Sequence, residues 1–215
     1  MEVIFLRHGE TTANQRHVYQ RGAEPLSKAG EAHMQKTAVD LKNLAPTHIL
    51  HSPLTRTTQS AAILGEQLAI IPQPFSEVRE VRWPAHLEGR SHRSLASFRH
   101  MAQWFWQSNL HTDDLTAGES YPRLRKRIER AKHILETYPD DACVIVVSHS
   151  VFINFFVEHV CNTEHLSLAL AGPRLLKVLT LKNTNATQLF CDQDDTPNVC
   201  HWHLTAFNKP ISELT

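Results

Sequence analysis

Three short segments of this 215-residue chain carry side chains suited to holding and attacking a small oxyanion. Arg7-His8-Gly9-Glu10-Thr11 follows the apolar run Val3-Ile4-Phe5-Leu6, and Ser148-His149-Ser150 follows a second one, Val144-Ile145-Val146-Val147. The third, His51-Ser52-Pro53-Leu54-Thr55-Arg56, comes after Ile49-Leu50. Two guanidiniums and two imidazoles therefore sit at or just past the ends of three apolar runs. Arginine stays charged at any working pH and grips the non-bridging oxygens of a phosphoryl group with a fork of donors. A neutral imidazole nitrogen is a competent nucleophile toward phosphorus, giving a phosphohistidine. Any one of Arg7, Arg56, His8 and His149 alone would be an ordinary surface or ion-paired residue; their recurrence at run ends points to chemistry.

The runs themselves are short, rich in β-branched residues and not alternating, as expected of central strands in a parallel sheet covered on both faces. Residues 47–51 predict a third strand; Leu175 to Leu181, Thr187 to Cys191 and Val199 to Leu204 predict a more antiparallel tail. Between them lie helical patterns. Ser27 caps a helix with Met34, Ala38, Leu41 and Ala45 on one face, and residues 56–68 place Ala61, Leu64 and Leu68 on a stripe. Ser120 and Pro122 open a helix with Leu124, Ile128, Ala131 and Leu135 inward and Arg123, Lys126, Arg127 and Arg130 on a solvated outer face. Residues 151–160 read as a more apolar helix. The alternation predicts one domain over residues 1–215, of α/β class: a three-layer α/β/α sandwich with a mostly parallel central sheet and helices on both faces. Residues 72–118, with Pro72, Pro74 and Pro84, read as an irregular lid excursion over one sheet edge. In open α/β sheets ligands bind beyond the carboxyl ends of the strands, so neighbouring strands would bring the four groups onto one anion. Helix N-termini after Thr11 and Ser150 would add N–H donors.

Composition narrows the partners. Equal numbers of acidic and basic side chains, 22 each, argue against nucleic acid or an anionic membrane as partner. No apolar run is long enough to span a bilayer, and Met1 to Arg7 lacks the basic start of a secretory signal, so a cytoplasmic, reduced protein is expected. Cys143 and Cys161 lie in apolar stretches and read as core thiols. Cys191 and Cys200 flank a turn-rich loop and would face each other across a hairpin. His201 and His203 lie nearby, but no paired Cys-x-x-Cys spacing supports a metal site, and neither metal nor cofactor is predicted. The 15 histidines make net charge climb as pH falls through about 6.5.

Leu6-Arg7-His8-Gly9-Glu10-Thr11 with Asn14 resembles the signature of the histidine phosphatase superfamily, in its phosphoglycerate mutase-like branch. The likeness continues, in the family's order, through Pro25-Leu26-Ser27-x-x-Gly30, Ser52-Pro53-Leu54-x-Arg56-Thr57-x-Gln59-Ser60-Ala61, Gly118-Glu119-Ser120 and Val147-Ser148-His149. The resemblance covers about residues 2–160. It implies that His8 becomes the phosphohistidine, that Arg7, Arg56 and His149 bind the phosphoryl oxygens, and that Asn14, Gln20, Gly22 and Ser150 contact the substrate, a small phosphorylated molecule. Glu10 and Thr11 would position the loop rather than take part in chemistry.

The leaving alkoxide needs a proton donor, which the resemblance places in Val78-Arg79-Glu80-Val81-Arg82-Trp83-Pro84-Ala85-His86-Leu87-Glu88-Gly89. Glu80 fits the donor position and Glu88 the later, structural glutamate, although Pro84 intrudes and an expected glycine is missing. Ser150 stands where the family usually has glycine; its side chain either narrows the pocket or caps the next helix. The chain is short and lacks the extended insertion of cofactor-dependent mutases, which favours a phosphatase over a mutase or a non-catalytic phosphate binder. Arg79, Arg82, Arg90, Arg93 and Arg99 in the excursion are either a basic lid for a multiply charged substrate or a solvated surface.

Overall fold

The computed structural model describes residues 1–20, 22–106, 118–161, 181–193 and 200–214. Six strands form one sheet in the order β3-β2-β4-β1-β5-β6. These are β1 (Glu2–Arg7), β2 (His48–His51), β3 (Gln73–Pro74), β4 (Cys143–Ser148), β5 (Ala186–Gln193) and β6 (Cys200–Lys209). The first four run parallel, while β5 is antiparallel to both β1 and β6. The helices are α1 (Thr12–Gln15), α2 (Lys28–Leu41), α3 (Thr55–Leu68), α4 (Leu95–Trp106), α5 (Tyr121–Leu135) and α6 (Ser150–Cys161).

Strand β1 shows why the layers form. Val3 and Phe5 join a core with Val144, Val146 and the inward residues of α5 and α6. Ile4 and Leu6 point the other way, into a core with Ile49, Ile145, Met34 and Ala38 of α2, and Ala61 and Leu64 of α3. Side chains alternate across a strand, so a strand apolar at every position needs a covering layer on each face. The three-layer α/β/α sandwich is the result.

The Ser27 hydroxyl accepts from the Gly30 N–H and starts α2 as expected. Ala45, however, lies beyond that helix in a left-handed turn. Of the expected tail strands, residues 175–180 fall outside the described residues, as does Val199. The 72–118 excursion is more regular than its prolines suggest, since β3 extends the sheet edge and α4 spans 12 residues. Ser94 supplies that helix's start signal, its hydroxyl accepting from the Ser97 N–H at 3.2 Å.

Three expectations are corrected. Arg127 is not on a solvated face: it is 3% exposed and ion-paired to Glu119. Its position, three residues after Leu124 and four before Ala131, is an inward one. Cys161 is exposed whereas Cys143 is buried. Cys191 is disulfide-bonded, against the expectation of a fully reduced chain. Among the described residues, no helix is long and apolar enough to cross a membrane.

Candidate active site

Strand β4 lies between β1 and β2, which brings the ends of all three together. Arg7, the last residue of β1, is in register with Ser148, and His51, the last of β2, with Val147. Backbone pairing extends one residue further on both sides: His8 N–H donates to the Ser148 carbonyl at 3.1 Å and Ser52 N–H to the Val147 carbonyl at 3.0 Å. His149 consequently sits between His8 and Ser52. The two imidazole rings lie 5.2 Å apart, centroid to centroid, and both are buried.

Hydrogen bonds determine which ring nitrogens carry protons. His8 Nδ1 is 2.7 Å from the Gly9 carbonyl, which can only accept, so the proton is on Nδ1 and the lone pair on Nε2. Arg56 Nε–H donates to that Nε2 at 3.2 Å. The same guanidinium donates through Nη2 to His149 Nδ1 at 3.2 Å, leaving His149 Nε2–H to donate to Ser52 Oγ at 2.8 Å. One arginine thus bridges two neutral imidazoles. Their basicity agrees: burial, then Arg56 and Arg7, hold His8 well below the usual imidazole range, against the pull of the Gly9 carbonyl. Burial, followed by Arg56, His8, Arg7 and Arg127, does the same to His149.

Arg7 donates through Nη1 to the Leu181 carbonyl, and its Nε–H is buried with no partner among the described residues. Burial lowers both Arg7 and Arg56 to about 10, with Glu80 opposing, so each remains a cation at neutral pH. Glu80 faces these two cations. Its Oε1 accepts from the Val81 N–H at 3.0 Å and from the Phe152 N–H, in the first turn of α6, at 3.3 Å. Burial pushes the Glu80 carboxyl up, against the Val81 N–H, Arg56, Arg7 and the Phe152 N–H. Arg56 lies in the first turn of α3, so two helix N-termini border the site.

The loop after β1 packs too tightly for larger residues. A Cβ on Gly9 would lie 2.9 Å from the Gly30 carbonyl oxygen, and one on Gly30 only 2.2 Å from that of Glu10. Asn14 completes a capping box with Thr11 and accepts from Asn183 at 3.2 Å. Asn183 also donates to the His8 carbonyl at 2.8 Å. Glu10 accepts from Ser27 and Gln15, a positioning contact. Ser60 links the Gly9 N–H to the Arg56 carbonyl.

A second set of residues clamps the loop that carries Glu80. Arg127 Nη1 donates to the carbonyls of Glu77 and Arg79 at 2.6 and 2.7 Å, while its Nε and Nη2 grip the Glu119 carboxylate. Glu119 N–H donates to the Arg82 carbonyl at 2.7 Å. Gly118 adopts φ +90°, and a Cβ there would meet the Arg82 oxygen at 2.6 Å. Ser148 Oγ donates to the Val78 carbonyl at 2.7 Å.

The structure therefore brings His8, Arg7, Arg56, His149 and Glu80 together, with Asn14 tied to the same loop. Glu88 is exposed and pairs through its backbone with Tyr19 instead. The Gln20 Oε1 is buried with no donor among the described residues, and Gly22 is exposed near Leu54. Ser150 opens α6, and its hydroxyl makes no capping bond among the described residues. Sequence reasoning missed Ser52, Asn183 and the Arg127–Glu119 clamp. Ser52 lies inside a quoted motif and comes directly after a strand, a usable signal; nothing in the sequence marks Asn183. Among the described residues, no group of three or more His, Cys, Asp or Glu side chains is placed to hold a metal ion.

The sequence pattern of the histidine phosphatase superfamily (branch 1) matches residues 3–193, and the chain belongs to that superfamily. It is 29% identical over 160 residues to the probable phosphoglycerate mutase GpmB of Escherichia coli, covering 73% of each chain. Two solved structures share the fold. The phosphoserine phosphatase of Entamoeba histolytica, bound to phosphoserine, aligns with TM-score 0.75, 20% identity and 99% coverage of both chains. The mycobacterial glucosyl-3-phosphoglycerate phosphatase, complexed with VO3, aligns with TM-score 0.72 and 21% identity, over 97% of this chain and 98% of that one.

Proposed function

We propose that the protein is a phosphatase that hydrolyses phosphomonoesters of a small anionic metabolite through a phosphohistidine on His8. The carrying observation is the orientation of that ring: Nδ1 is tied to the Gly9 carbonyl and the Nε2 lone pair faces Arg56, beside the Glu80 carboxyl. Arg7, Arg56 and His149 would bind the three non-bridging oxygens. A phosphoryl oxygen is a stronger acceptor than imidazole, so it would draw the Arg56 donors away and free the Nε2 lone pair.

Attack by His8 Nε2 forms the N–P bond as the P–O ester bond breaks, and protonated Glu80 delivers its proton to the leaving oxygen. Water then attacks the phosphohistidine, giving its proton to the Glu80 carboxylate and releasing orthophosphate. For His149 to donate to the phosphate, its proton moves to Nδ1. Ser52 Oγ, able to accept or donate, then donates to Nε2. The first step needs a neutral His8 and a protonated Glu80, and burial shifts each group in that direction.

The relatives named for phosphoglycerate, glucosyl-3-phosphoglycerate and phosphoserine support a small phosphorylated acid as substrate. The likeness to a probable phosphoglycerate mutase favours a second reading, return of the phosphoryl group to another hydroxyl. A panel of sugar phosphates, phosphocarboxylates and nucleotides, assayed for free orthophosphate, separates the two. Steady release from at least one phosphomonoester is expected. Interconversion of 2- and 3-phosphoglycerate without phosphate release would replace this reading with the mutase one.

A further inference from the structure

Beside the Glu80 loop lies a concave pocket of about 190 Å³, lined by six basic side chains and one carboxylate. Arg79 and Arg82 enter it from the Glu80 loop, and Arg123, Lys126 and Arg130 from three neighbouring positions on α5. The Arg127–Glu119 ion pair lines it as well. None of Arg7, His8, Arg56, Glu80 and His149 does, so it is separate from the catalytic cradle.

The charge is compensated only in part, at Arg123, Arg127 and Arg130. Glu119 is consumed by Arg127, and Glu77 pairs with Arg130 at 3.1 Å, with the Arg130 side chain 57% exposed. Among the described residues, no ion pair or hydrogen bond holds the side chains of Arg79, Arg82 or Lys126. Like charges three and four residues apart on a helix repel, and here the loop adds two more guanidiniums to the same hollow. In a chain of zero formal charge this is a local concentration of cations.

We infer that this pocket binds a small polyphosphorylated anion, two linked phosphoryl groups in size, at a site distinct from the catalytic one. Guanidinium forks match phosphoryl oxygens, and two sequence elements, the Glu80 loop and α5, supply them. The volume displaces about six waters at about 30 Å³ each, enough for a diphosphate. The site adjoins the catalytic acid through Arg127, which holds the Glu77 and Arg79 carbonyls and lies 5.1 Å over the Phe152 ring.

The test is calorimetric titration of inorganic pyrophosphate into the full chain, with and without saturating orthovanadate to fill the catalytic cradle. One pyrophosphate per chain should still bind with vanadate present, more weakly as salt rises. The Lys126→Glu/Arg130→Gln variant should lose at least tenfold of that affinity while its vanadate inhibition and its hydrolysis of p-nitrophenyl phosphate stay unchanged. Three results each overturn the inference: no pyrophosphate binding at millimolar concentration, binding abolished by vanadate, or vanadate-resistant binding untouched by the variant.

Discussion

The phosphate cradle and the acid loop meet at one site but are held there by different means. His8, His149 and Ser52 leave the ends of adjacent strands, and the sheet's own backbone ladder continues through His8 and Ser52. Glu80 comes from a loop between two single helical turns, residues 76–78 and 85–87. Side chains hold that loop: Arg127 on two of its carbonyls, Ser148 on a third, and Glu119 on its far end. A ladder depends little on side-chain identity, whereas a clamp depends on a few particular residues. The nucleophile's backbone is thus set mainly by the strand end, with the close approach at Gly9 and Gly30 beside it, whereas the acid's place rests on those few side chains.

The largest test of that division is kinetic. Glu80→Gln should cut hydrolysis of alkyl phosphates by about 10²–10⁴-fold. p-Nitrophenyl phosphate, whose leaving group needs no proton, should lose much less. Equal losses on both substrates would remove Glu80 from proton donation.

Next comes the clamp. Arg127→Met leaves the buried Glu119 carboxylate and two carbonyls unpaired and should cost about 3–5 kcal/mol in urea unfolding. Its remaining activity should show the same bias against alkyl substrates as Glu80→Gln. A uniform loss on alkyl and aryl esters would mean that Arg127 supports the whole fold rather than the acid.

The smallest effect is on stability against pH. Burial raises Glu80 above its unfolded value of 4.5, so above that pH the folded chain holds more protons than the unfolded one. The ionised carboxylate therefore costs stability, increasingly until pH passes the raised folded value. Glu80→Gln should melt higher than the parent at pH 8, with the gap closing toward pH 4.5. His8 and His149 are lowered, so they cost stability as pH falls below 6.5, equally in both proteins. A variant that melts lower than the parent at pH 8 would show that the carboxylate is not penalised by burial.

The same contrast explains what could be read in advance. Val3 to Leu6 and Val144 to Val147 announce doubly covered strands because both of their faces are apolar, and the residues just past a strand end are positioned by the strand. Arg127 misled because Arg123, Lys126 and Arg130 share its neighbourhood and suggest one solvated stripe, although its spacing to Leu124 and Ala131 points inward. Helix α4 was hidden by its own surface, with Leu95 and Phe98 at 75% and 65% exposure spoiling the expected apolar face. Asn183 acts across 169 residues on Asn14, a contact that only the folded sheet creates.

The most direct measurement of the central proposal is to mix protein with a hydrolysed phosphomonoester, quench in alkali during turnover, and locate any phosphoryl group by mass spectrometry. The phosphoryl group should appear on His8 and be absent, together with turnover, in His8→Ala. Sustained hydrolysis by His8→Ala, or a phosphoryl group on any other residue, would contradict it.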